Sequence, residues 1–117
     1  MNFPEEQIEE LKAYCAKLSA LREANRIYFF LEGLRLPPGC EPGACDALLR
    51  PFPGGDGYPS QLYFSTQIKS PFTRNWNVSN VRICEKNWFA FSWKHTLSSP
   101  KLAEMLVNHL TGFTRPK

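Results

Sequence analysis

The sequence predicts an α+β domain, an antiparallel meander sheet with one helix at the N-terminal end and one at the C-terminal end packed on it. Three observations lead there: apolar residues recur at helical spacing near both ends, short aromatic or alternating runs lie between them, and clusters of Pro and Gly separate those runs. With 117 residues the chain has room for a single core, so residues 1–117 are read as one domain carrying one site.

The first element is read as a helix because Ile8, Leu11, Cys15 and Leu18 recur three or four residues apart, with Tyr14 and Leu21 widening the stripe. Asn2, Pro4 and Glu5 supply its cap and first turn, and it is expected to fade near Asn25. The aromatic run Ile27 to Leu31, closed by Pro37, Pro38 and Gly39, reads as a strand, and a second strand covers Ala44 to Arg50. Pro51, Pro53, Gly54, Gly55 and Gly57 make a loop.

Beyond Tyr58 and Pro59 the sequence alternates, putting Leu62, Phe64, Thr66 and Ile68 on one face of a half-buried third strand. The stretch from Lys69 to Lys94 has no clear period and reads as irregular chain with one short strand near Val81 to Cys84. Ser99 and Pro100 cap a last helix whose apolar side is Leu102, Met105, Leu106, His109, Leu110 and Phe113, ending near Gly112.

Charge and composition narrow the function classes. A net charge of +3, with Lys and Arg spread along the chain rather than gathered in a stripe, argues against nucleic acid. No window holds the roughly 18 unbroken apolar residues of a membrane span. The start, Met-Asn-Phe-Pro-Glu-Glu, is acidic where a secretory signal is basic and then apolar, so a cytoplasmic location without membrane contact is expected. In that compartment Cys15, Cys40, Cys45 and Cys84 are free thiols. Cys40 and Cys45 resemble half a zinc site, but no second close pair of ligands follows, so neither a metal nor another cofactor is expected.

Among the thiols Cys84 stands out. It follows Ile83 at the end of a short strand, with Glu85 and Lys86 beside it, which suggests partial exposure and a lysine that favours the thiolate. The plainer reading is a small buried hydrophobe. Cys15 falls on the apolar stripe of the first helix and reads as core, as does His109 on the last, while Trp88 and Trp93 read as packing residues.

Local sequence adds a resemblance. Gly33 to Gly39 (Gly-Leu-Arg-Leu-Pro-Pro-Gly), the strand Asp46 to Leu49 and Tyr58-Pro59 look like the strand, turn, strand and Tyr-Pro entry of the ubiquitin-conjugating enzymes. Asn75-Trp76-Asn77-Val78 followed by Ile83-Cys84 resembles their His-Pro-Asn-Val and Ile-Cys elements. Asn87 to His95 resembles the Trp-x-x-(Trp/Phe)-Ser-x-x-His segment of small bacterial members encoded beside ubiquitin-like and activating-enzyme-like proteins. The likeness spans residues 26 to 113.

The resemblance implies a ubiquitin-conjugating-like fold and a transferase. Cys84 would accept a ubiquitin-like modifier from an activating enzyme as a thioester and pass it to a target protein, in a bacterial antiphage defence setting. It also implies a role for Asn77, whose amide suits a developing oxyanion or braces the loop, although Asn75 or Asn80 could serve instead and an ordinary turn asparagine fits equally. His95 is either a base for the incoming amine or a structural histidine. The alternative from another class is a catalytically silent member of the fold that binds a modifier or scaffolds an activating enzyme; an unrelated α+β binding module is a third reading.

Overall fold

The computed structural model describes residues 4–53, 58–71, 76, 78–91 and 101–114. Helix α1 (Glu5–Leu11) and a single 3-10 turn (Lys12–Tyr14) lead into strands β1 (Lys17–Glu23), β2 (Arg26–Arg35), β3 (Ala44–Arg50), β4 (Gln61–Phe64), β5 (Val78–Ile83) and β6 (Lys86–Ala90), and helix α2 (Leu102–Thr111) follows. The six strands form one antiparallel sheet in the order β1-β2-β3-β4-β6-β5, with the first four as a meander.

The N-terminal helix is shorter than its apolar stripe predicts. Leu11 is its last residue, and Lys17–Glu23 pairs with β2 from Lys17↔Glu32 to Glu23↔Arg26. Leu18 and Leu21, which a helix would put on one stripe, lie on opposite faces of β1: Leu18 packs against the helix-side core and Leu21 against the other. Short apolar runs fit either period, and seven paired residues decide for the strand. The connection is a two-residue hairpin loop in which Ala24 and Asn25 have φ of 51° and 63°, the left-handed backbone that such loops require.

Strands β2 and β3 fall where the sequence predicts them. Their register shifts between Leu31 and Leu34. Gly33 sits at the shift with φ +65°, its N–H donates to Asp46 Oδ1 at 3.0 Å, and a Cβ there would stand 3.2 Å from that of Ala16. Only glycine combines that backbone with that approach. The third predicted strand ends sooner, at Phe64, and its four residues are all buried rather than alternately exposed. Ile68 still reaches the core, but Thr66 is exposed.

The stretch expected to be irregular holds a second hairpin, β5 and β6, with Cys84 in its turn instead of in a strand. Among the described residues the ladder pair Phe64↔Phe89 ties it to β4.

The sheet is buried on both faces. On one, α1 and α2 cover Phe29, Leu31, Leu49, Leu62 and Phe64 with Leu11, Leu102, Leu106 and Phe113. The rings of Phe64, Phe91 and Phe113 meet there at centroid separations of 4.9 to 6.0 Å. The buried side of α2 is the one predicted, and its start is held by two side-chain oxygens. Glu104 Oε1 accepts the Lys101 N–H at 2.7 Å, and Gln7 Oε1, from α1, accepts the Leu102 N–H at 3.2 Å. The expected cap at Ser99 and Pro100 lies outside the described residues. Buried His109 shares a 2.8 Å hydrogen bond with Ser60, giving the expected packing histidine a polar tie to the start of β4.

Among the described residues no helix covers the other face. Phe30, Leu48, Tyr63, Ile83, Trp88 and Ala90 form a second core there. In a flat sheet β2 and β6 would stand about 14 Å apart, three strand spacings, yet the Phe30 and Trp88 rings meet edge to face at 5.9 Å. The sheet therefore coils strongly and carries β5 and β6 over its own face.

Candidate functional site

Cys84 and Glu85 form the two-residue turn between Ile83 and Lys86, with φ of 51° and 66°. Neither is glycine or asparagine, so this backbone is strained at both positions, on the order of 1 kcal/mol each. Two contacts hold the turn. Trp88 Nε1–H donates to Ile83 O at 3.0 Å beneath it, and the Cys84 N–H donates to Glu23 Oε1 at 2.9 Å across the coiled sheet. The tips of the two hairpins, β1-β2 and β5-β6, thus meet.

The thiol is partly exposed, as expected, but its electrostatics differ from the sequence reading. Burial, then Glu23, then Glu85, push the Cys84 thiol above its ordinary value. Lys86 does not favour the thiolate, because its Nζ lies over the Phe30 ring, 4.6 Å from the centroid. Cys84 is therefore a protonated thiol at neutral pH.

The side-chain cluster that Cys84 packs on also takes up a residue the sequence did not single out. Tyr28 lies on the same face of the sheet as Glu23, because Leu21 pairs with Tyr28 and Glu23 with Arg26. It packs with Cys84 against the second core, and its ring meets Phe52 edge to face at 5.4 Å. Burial raises the phenol's pKa first, with Tyr63, Glu23 and Cys84 adding to it and Arg50 opposing. Behind it the buried Arg50 guanidinium donates to Phe52 O at 2.9 Å, Tyr58 O at 3.0 Å and Tyr63 Oη at 3.2 Å, fixing the chain that leaves β3.

The remaining thiols are less available. Cys15 and Cys40 are buried and pushed up by burial; Cys15 Sγ lies 3.8 Å from Leu11 O. Burial takes Cys45, on β3 beside Ser65, up to about 11. Among the described residues no group of three His, Cys, Asp or Glu side chains is arranged to hold a metal ion. Nor is any helix there long and apolar enough to cross a membrane.

Asn77 and His95 lie outside the described residues. Asn80, considered as a substitute donor, occupies the bulge of β5 with φ 55°, about 13 Å of strand from Cys84. Trp76 packs on the helix-side core and Trp88 is buried in the second, both as packing residues; Trp93 is not among the described residues. Asn25, a turn former between two short apolar runs, is the signal that could have found the β1-β2 hairpin, though not the approach of its Glu23 to Cys84.

No family model matches the chain, and neither a curated protein nor a solved structure matches it.

Proposed function

We propose that the chain is a ubiquitin-conjugating-like domain whose Cys84 accepts a ubiquitin-like modifier from an activating enzyme as a thioester and passes it to a target amine. The observation that carries this is the position of Cys84: a partly exposed thiol at a strained hairpin tip whose main-chain N–H is held by the Glu23 carboxylate, while Cys15 and Cys40 are buried and Cys45 lies within a strand. The resemblance of its Ile-Cys and Asn-Val elements to conjugating enzymes supplies the reaction class and the antiphage setting.

A thiol held above its ordinary pKa attacks slowly unaided, since the thiolate is the nucleophile. The same shift makes the sulfur a poorer leaving group, so its thioester resists water. Both properties suit a carrier that is loaded by one partner and discharged on another.

A second reading is favoured by Glu23 and Glu85, the two carboxylates opposing the thiolate. In that reading the domain binds a modifier or an activating enzyme and performs no chemistry.

The test is a gel assay with ATP, a bacterial activating-enzyme-like protein and its ubiquitin-like protein. A reductant-sensitive adduct is expected that survives Cys15→Ala, Cys40→Ala and Cys45→Ala and vanishes in Cys84→Ala. Cys84→Ser should convert it to a thiol-resistant ester. Binding without any adduct on the wild type makes the domain a silent module.

A further inference from the structure

The thioester reading leaves one requirement open. Attack on a thioester carbonyl puts negative charge on its oxygen, and a donor must meet that charge at the site. Among the described residues the carboxylates of Glu23 and Glu85 act on Cys84 and can only accept, while the Tyr28 hydroxyl, on the side-chain cluster that Cys84 also packs against, can donate. The Cys84 N–H is already given to Glu23. Asn80 is displaced along β5, in its bulge.

We propose that the Tyr28 hydroxyl donates the hydrogen bond that holds the carbonyl oxygen of an acyl group on Cys84, making Tyr28 a catalytic residue of the transfer. This rests on the thioester reading.

Three features of the fold converge on it. Tyr28 and Glu23 are diagonal neighbours on one face of the β1-β2 ladder, Glu23 holds the Cys84 main chain, and Tyr28 and Cys84 pack on the same side-chain cluster. Phe52, edge-on at 5.4 Å, fixes the plane of the phenol ring. Among the described residues no acceptor is seen for the hydroxyl proton. Its raised pKa keeps that proton in place across the alkaline range in which amines become nucleophilic.

The step balances without a further reagent. The amine lone pair forms the C–N bond as the carbonyl π pair moves onto oxygen, where the Tyr28 O–H meets it. The tetrahedral intermediate collapses, the C–S bond breaks, and sulfur leaves as thiolate. The proton lost by the ammonium nitrogen returns the thiolate to thiol, and Tyr28 keeps its own proton throughout.

The test uses a defined acyl donor in place of the modifier. The full chain is loaded with a Gly-Gly peptide thioester of mercaptoethanesulfonate, the Cys84 adduct is quantified by mass spectrometry, and its discharge onto free lysine is timed. Tyr28→Phe keeps the ring against Phe52, so it should load to the wild-type extent and discharge more slowly by on the order of 100-fold. A 3,5-difluorotyrosine at position 28, isosteric but more acidic, should lose discharge activity at a lower pH than the wild type. A discharge rate for Tyr28→Phe within about threefold of wild type, or a pH profile that fluorination leaves unmoved, overturns the donor role and leaves the thioester reading standing. A wild-type Cys84 that takes no acyl group overturns both.

Discussion

Glu23, the last residue of β1, accepts the main-chain N–H of Cys84 at 2.9 Å across a sequence separation of 61 residues. One carboxylate thereby closes the two hairpin tips on each other and sets a negative charge beside the thiol.

That charge can be removed without removing the hydrogen bond. Glu23→Gln keeps an acceptor oxygen and should lower the Cys84 pKa, so that alkylation by iodoacetamide at pH 7.5 becomes severalfold faster. Glu85→Gln should act in the same direction and more weakly, since Glu85 is the smaller of the two contributions. Peptide mapping after timed alkylation reads both, and a slower Cys84 in Glu23→Gln would refute the electrostatic account.

Alkaline pH should destabilise the fold through Cys45. Its folded pKa is raised from 9.0 to about 11, so the folded state holds the proton more tightly than the unfolded chain does. The resulting stability is fully present below pH 9 and is lost as pH rises towards 11, a change of about 2–3 kcal/mol by linkage. Urea unfolding at pH 8 and pH 11 should show the loss, and Cys45→Ala should show less of it.

Gly112 follows α2 at a close approach. A Cβ there would stand 2.7 Å from Phe91 Cε2 and 3.1 Å from His109 O, and Phe91 is wedged between Phe64 and Phe113. Gly112→Ala should cost about 1–3 kcal/mol through overpacking, read as a lower urea midpoint with unchanged slope.

The opposite sign is expected at Ala24, whose φ of 51° in the β1-β2 loop disfavours a side chain. Ala24→Gly should stabilise by about 0.5–1 kcal/mol, visible as a higher melting temperature. An unchanged or lower value would mean that the loop bears no strain.

What the sequence revealed follows from which signals are local. Strands β2 and β3 were legible because an aromatic run and an apolar run are each closed by Pro and Gly, and α2 because Leu102, Met105, Leu106 and Leu110, joined by His109, keep one face over ten residues. Strand β1 was not, since Leu18 and Leu21 satisfy a helical spacing as well as a strand's alternation and only pairing with β2 separates the two. The β5-β6 hairpin was hidden by its own turn, where Cys and Glu hold a backbone usually announced by Asn or Gly. Cys84 could be picked out from its neighbours in sequence. Glu23 and Tyr28 could not, because their approach to it depends on how far the sheet coils, a property of the whole ladder.

The pair Phe64↔Phe89, which joins the second hairpin to the meander, also bears on the order of events during folding. Strands β5 and β6 contact each other locally and can form early, but docking their tip on β1 closes a loop spanning more than half the chain, an entropic cost met late. A nascent or half-unfolded polypeptide therefore owns the cysteine without its two companions. Free of the burial and of the Glu23 charge that hold the folded thiol above its ordinary value, residue 84 in unfinished copies should be alkylated faster than in the completed fold.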